Sequence, residues 1–157
     1  MILYHGSYME VQQPDLKHSR QAVDFGRGFY TTPLYEQAKK WCERFTKQGK
    51  CAFISKYTFD ETKLEEFKVL KFDNYSEEWL EFVLNCRRKI DTSSYDVVIG
   101  GVANDKVFNT VELYFDNLID KKEALQRLKY EKPNLQICFR SEKVIKSGLD
   151  FEGSERL

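Results

Sequence analysis

Four short stretches of this 157-residue chain carry side chains suited to gripping a flat, polar ring. Tyr30 ends the run "DFGRGFY", in which Gly26 and Gly28 allow a tight turn and let backbone approach a ligand with no Cβ in the way. Trp41 follows eleven residues later in "LYEQAKKWC". Two aromatic faces can sandwich a flat cation, each contact contributing roughly 0.5–2 kcal/mol when desolvated. His5, in "YHGS", precedes another glycine, Gly6, and its imidazole can donate a hydrogen bond. Gln136, in "LQICF", offers an amide that can orient a hydroxyl but supplies neither charge nor a base. Each residue also has a plainer reading. A lone histidine is commonly structural, and Trp41 falls on an apolar helical stripe. Gln136 fits the polar side of a strand. "FGRG" suits any tight turn, without the third glycine and following helix of a dinucleotide fingerprint.

The elements that must hold these residues can be read from periodicity and caps. "ILYH" predicts a short strand with Leu3 and His5 on one face and Ile2 and Tyr4 on the other, followed by a polar loop from Ser7 to about Asp24. "FGRGFYTT" predicts a turn and strand, with Thr32 as N-cap and Pro33 at the first helical position. Leu34, Ala38, Trp41, Cys42 and Phe45 then share a helical face that Gly49 closes. "CAFISKYTF" alternates as a strand, with Cys51, Phe53, Tyr57 and Phe59 on one side, and "EFKVLKF" is a less regular candidate. Ser76 caps a helix to about Lys89, and "YDVVIGGVA" reads as a buried strand. Asn104 or Asp105 caps a helix whose Val107, Phe108, Val111, Tyr114, Phe115 and Leu118 form an inward stripe. Asp120 and Glu123 make a capping box for a helix ending near Tyr130. "LQICF" is a strand, and "SEKVIKSGLDF" closes the chain as a helix or turn. Helices and strands intermingle without regular crossovers, which predicts a single α+β domain over residues 1–157.

Composition narrows the functional classes. Lysine plus arginine balance aspartate plus glutamate at 25 each, which argues against non-specific binding to nucleic acid or anionic membranes. The longest apolar runs are far too short to span a membrane, and "MILYHGS" lacks the regions of a signal peptide, so a cytosolic protein is expected. Cys42, Cys51, Cys86 and Cys138 form no C-x-x-C pair, and only His5 and His18 could join them, so buried, reduced thiols and no metal site are expected.

In order and spacing, "LYHGS", "DFGRGFYTT", "QAKKWC" and "QICF" resemble the ADP-ribosyltransferase superfamily, in its diphtheria-toxin and poly(ADP-ribose) polymerase branch. The resemblance is strong over residues 3–42, weak over 50–130, and short but well placed at 135–139. The chain also looks like a compact bacterial family of unassigned function within that superfamily. The likeness implies a split, mostly antiparallel sheet with flanking helices, and NAD as co-substrate without a metal. By resemblance, His5 and Gly6 bind the nicotinamide ribose and carboxamide, while Tyr30 and Trp41 cover the two faces of the nicotinamide. Gly28 and Thr31 flank Tyr30 as further NAD-binding positions. His5, Tyr30 and Gln136 take the catalytic positions.

The pattern departs in two places. The third catalytic position is a glutamate in that branch and Gln136 here, and a serine three residues before the second aromatic is Ala38. An amide keeps a hydrogen bond to the ribose but not the charge that stabilises an oxocarbenium-like state. Either the acceptor is already nucleophilic, or another carboxylate serves (Asp105 or Glu142), or NAD is bound without turnover. The resemblance implies a mono-ADP-ribosyltransferase that modifies a protein or nucleic acid and acts as a bacterial toxin or conflict effector, with a cognate antitoxin as partner. An NAD glycohydrolase and a non-catalytic NAD- or ADP-ribose-binding module stand as alternatives. "KKEALQRLKYEK" hints at a nucleic-acid acceptor, but Glu123, Leu125, Leu128 and Glu131 at helical spacing favour a solvated amphipathic face.

Overall fold

Two sheets meet where the first strand touches the second, and that junction organises the molecule. A computed structural model describes residues 1–131 and 134–157. In chain order the elements are β1 (Ile2–Ser7), β2 (Phe29–Thr31), α1 (Tyr35–Thr46), β3 (Phe53–Phe59), a 3-10 turn (Glu61–Glu66), β4 (Val69–Lys71) and α2 (Glu77–Arg87). Then come β5 (Val97–Gly101), α3 (Asp105–Phe115), α4 (Lys121–Leu128), β6 (Leu135–Phe139), α5 (Glu142–Gly148) and β7 (Leu149–Arg156). One sheet has the order β1-β3-β7 and is antiparallel throughout. The other runs β2-β6-β5-β4, antiparallel except for β4 against β5. The fold is α+β.

Among the described residues the sheets are joined by one bridge, Tyr4 to Thr32, with both backbone bonds made (2.8 and 2.9 Å). Three buried clusters fill the layers. One face of the β2-β6-β5-β4 sheet presents Val98 and Cys138 to Trp79, Leu80 and Val83 of α2, to Val107 and Val111 of α3, and to α4. Its other face packs Phe29, Ile137 and Phe139 against Leu3, Tyr57 and Phe59 of the first sheet and Val144 and Ile145 of α5. The outer face of β1 and β3 is covered by α1 through Ala38 and Cys42.

Several local expectations change. Thr32 does not cap α1: its hydroxyl donates to Leu135 O (2.7 Å) and accepts from Leu34 N (3.1 Å), so the helix starts at Tyr35 without a side-chain cap. Gly49 does close it, in the left-handed region at φ 69°. Ser76 and Asn104 cap α2 and α3, and Asp120 caps α4. The α3 stripe is only partly inward: Val107 and Val111 are fully buried, whereas Phe108 and Leu118 are 46% and 70% exposed. The end of the chain is not a helix or turn alone, because α5 leads directly into β7, an edge strand on β3. Among the described residues, no helix is long and apolar enough to cross a membrane.

Candidate functional site

Beyond the Tyr4–Thr32 bridge no backbone bond joins β1 to β2 among the described residues, and of the residues singled out by sequence His5, Gly6, Tyr30 and Trp41 lie near that point. In an antiparallel ladder a residue aims its N–H and C=O to one side, and the next residue aims them to the other. Tyr4 points both groups at β2, so Gly6, two residues on, points its own at the same side. No backbone bond joins Gly6 to β2 among the described residues. The reason is His5. Its Nδ1 lies 2.7 Å from Tyr30 O, and since a carbonyl only accepts, Nδ1 carries the proton. The imidazole thus takes the acceptor that a continuing ladder would have offered to Gly6, and the strands separate with Gly6 N–H and C=O facing the gap.

Side-chain alternation decides which residues share a face. Tyr4 pairs with Thr32 and Tyr30 with Cys138, so Gly6, Tyr30, Cys138 and Gln136 lie on one side of the joined sheets. α1 covers this side over β1, and α2 to α4 cover it over β6 and β5. Trp41 stands on α1 beside Gly6, half-buried: a Cβ on Gly6 would lie 3.4 Å from the Cβ of Trp41. It would also lie 2.6 Å from Ala38 O, so a glycine is required by the close seat of α1 as well as by any ligand. His5 belongs to the opposite face. Its ring stacks on Phe29 (centroids 4.5 Å apart, tilted 33°) and reaches the gap at the strand edge, through Tyr30 O.

The electrostatics follow from burial. Enclosure of the His5 ring lowers its pKa to about 4, opposed by the Tyr30 carbonyl and assisted by the positive charge of Arg44. At neutral pH the ring is uncharged, its Nδ1–H is spent on Tyr30, and Nε2 is left as an acceptor. This reverses the expectation that His5 donates to a ligand. The Tyr30 phenol is held well above its usual range by burial, with Cys138 and Asp24 adding to the effect. Its hydroxyl donates to Gly26 O (2.6 Å) and accepts from Phe25 N (3.0 Å), so the glycine turn clamps the ring.

That turn is tied down in its own right. Asp24 Oδ1 receives Arg87 Nη2 at 2.7 Å and Nε at 3.2 Å, with side chains only 14% and 11% exposed, and Arg87 Nη1 also bonds Glu112. The guanidinium of α2 therefore fixes Phe25 and Gly26, and through them Tyr30. Sequence reasoning missed this clasp, because Asp24 and Arg87 are 63 residues apart with no local signal.

The remaining expected residues are placed less openly. Gln136 is 3% exposed, and its Nε2 donates to Gly101 O at 3.3 Å, an acceptor shared with the Trp79 indole. Gln136 shares a face with Tyr30 but not with the His5 ring. Thr31 is fully buried with its hydroxyl on Ile137 O, so its side chain meets no ligand. Gly28 is buried too, and a Cβ there would strike Cys138 Sγ and lie 2.9 Å from Phe139 O. Packing explains both. Glu142 accepts from Leu16 N (2.8 Å) and so anchors the polar loop, while the side chain of Asp105 lies outside the described residues. Burial pushes the Cys86 and Cys138 thiols up to about 12, which leaves them protonated and unreactive, whereas Cys51, expected to be buried, precedes β3 and is exposed.

A cavity of about 480 Å³ lies at the other end of β6, beside Arg140, and none of His5, Gly6, Tyr30, Trp41 or Gln136 lines it. Residues 1–151 match the family described as protein of unknown function DUF3990, and the chain belongs to that family. No curated protein and no solved structure matches it.

Proposed function

We propose that the protein is an NAD-dependent mono-ADP-ribosyltransferase, with an ADP-ribosyltransferase-like split sheet whose parting receives the nicotinamide end of NAD. The observation that carries this reading is the pair of Gly6 backbone groups facing the gap between β1 and β2. A carboxamide has one acceptor and one donor group, and Gly6 presents one donor and one acceptor. Trp41, half-buried beside Gly6, and Tyr30, on the same face, supply aromatic surface for the ring. The neutral His5 leaves Nε2 free to accept from a ribose hydroxyl at the strand edge. The residues present therefore fit NAD, which when bound would contribute the ADP-ribosyl group and nicotinamide as leaving group.

On this reading the chain contributes position more than charge. Gly6 and Trp41 hold the ring and His5 orients a ribose hydroxyl. Gln136 stands where the branch that the chain resembles carries a glutamate, and would offer an amide in place of that charge. An amide cannot deprotonate an acceptor, so the acceptor must be nucleophilic already. A cytosolic effector or toxin acting on a protein or nucleic acid, with an antitoxin partner, is the role proposed for such an enzyme. One observation favours a second reading, a domain that binds NAD or ADP-ribose without turnover: Gln136 is buried and committed to Gly101 O.

Tryptophan fluorescence tests the binding step. NAD should quench the half-buried Trp41 and leave the buried Trp79 unaffected, and the quenching should vanish in Trp41→Phe. Trp41→Ala or Tyr30→Ala should weaken NAD binding by roughly 1–3 kcal/mol. No quenching at saturating NAD, or affinity unaltered in both alanine variants, would remove the slot. Gln136→Ala should slow nicotinamide release about ten- to a hundredfold if turnover occurs.

A further inference from the structure

The open pocket of about 480 Å³ beside Arg140 has no part in the proposed transfer chemistry, and its lining is strongly charged. Its volume falls in the lower half of the range of roughly 300–1,000 Å³ typical of small-molecule pockets. It lies between the glycine turn, the loop that precedes it, and the segment leading from α2 into β5.

Its charges are unevenly matched. Arg140 and Asp91 form a largely buried pair (2.6 Å, 12% and 13% exposed), and Arg140 Nη1 also bonds Ser93 Oγ at 3.1 Å. Asp96, the other carboxylate in the lining, accepts from Lys68 N at 3.0 Å. Arg27 and Lys89 remain, against the single negative charge of Asp96. Arg27 spends its Nε–H on Leu16 O (3.0 Å) and Ser19 Oγ (3.3 Å), which fixes the guanidinium while leaving both Nη groups without an acidic partner among the described residues. Lys89 has none either among the described residues; its φ of 59° is that of the left-handed residue that closes α2, with Lys89 N on Cys86 O (3.1 Å) and Ile90 N on Asn85 O (3.0 Å). Ala22, on the facing loop, is held at φ 54°. In an alanine such a conformation persists only where the surroundings enforce it. A guanidinium anchored through Nε, with its fork free, is the geometry that receives an oxyanion in two parallel bonds.

We infer that this cavity binds a phosphate-bearing small molecule, with Arg27 and Lys89 gripping the phosphate above the Arg140–Asp91 floor. The inference does not depend on the use of NAD at the β1–β2 parting, and neither cation belongs to that slot.

Thermal unfolding and calorimetric titration of the full chain test it, using inorganic phosphate, ribose 5-phosphate and AMP as separate probes. At least one of the two esters should raise the melting temperature in a dose-dependent way that weakens at high salt. Lys89→Gln alters an exposed charge and should leave the unliganded melting temperature unchanged. Arg27→Gln also removes the Nε bonds to Leu16 O and Ser19 Oγ and should lower it slightly, so affinity is measured well below either melting temperature. Each should weaken the binding roughly tenfold, and the double variant should abolish it. Agreement between the two esters would place recognition in the phosphate, and preference for AMP would add the nucleoside. Either supports the site. No stabilisation by either ester, stabilisation by inorganic phosphate alone, or ester binding undiminished in the double variant would overturn it.

Discussion

Acid should destabilise this protein through His5, and the amount can be worked from the structure. Burial lowers the pKa of the ring from 6.5 to about 4, while in the unfolded chain it returns to the ordinary value. Between those two pH values the unfolded state binds a proton that the folded state refuses. Stability attributable to the ring is therefore complete above pH 6.5 and declines as the pH falls toward 4. A displacement of about 2.5 units, at 1.36 kcal/mol each, sets a ceiling of about 3 kcal/mol. Asparagine is the control, since its Nδ2–H can replace Nδ1–H on Tyr30 O and it does not titrate. Urea unfolding of the wild type and His5→Asn at pH 7.5, 6, 5 and 4 gives the difference directly. General acid effects on carboxylates cancel between the two proteins. The wild type should lose up to about 3 kcal/mol more than the variant across that range, with most of the excess between pH 6 and 4. Parallel profiles would refute the reasoning, as would an NMR titration of the His5 ring with a midpoint near 6.5.

Other outcomes follow from the same packing. Gln136→Glu sets a buried carboxylate against Gly101 O, and should cost about 1–3 kcal/mol of stability at pH 8 and less at pH 5, where protonation restores a donor; denaturant titration at both pH values checks it. Arg87→Met strands Asp24 in a largely buried position and should cost about 3 kcal/mol by thermal unfolding, with part regained in Arg87→Met/Asp24→Asn. Gly28→Ala forces a Cβ onto Cys138 and Phe139 O, and should lower stability by about 1–3 kcal/mol in the same assay.

Much of the framework was legible because it rests on local signals. Ser76, Asn104 and Asp120 each carry a short polar side chain at a helix start and do cap it. "VVIGG" is apolar throughout because β5 lies between two strands and is covered on both faces. What failed to read out depends on partners. Thr32 has the chemistry of a cap, but its hydroxyl is claimed by Leu135 from a strand more than a hundred residues away. β7 has charged residues at Asp150, Glu152, Glu155 and Arg156 because it is an edge strand, and its weak Leu149–Phe151 alternation was the only signal. Phe108 supplies apolar period without burial, its ring lying under the Arg87 guanidinium at 5.0 Å instead. In the candidate site, residue types and spacing picked out Gly6, Tyr30, Trp41 and Gln136, which do share a face. Alternation within one strand cannot say which face of the next strand it matches, so the position of the His5 ring against Phe29 needed the register.

The central claim is that this chain breaks NAD at its nicotinamide bond and transfers what remains. Purified protein should be incubated with adenine-labelled NAD in cell lysate, followed by measurement of free nicotinamide and of label in separated protein and nucleic-acid fractions. The account predicts nicotinamide release matched by label on one macromolecular fraction, both lost in Trp41→Ala. Intact NAD after prolonged incubation, together with no detectable heat of NAD binding, would contradict it.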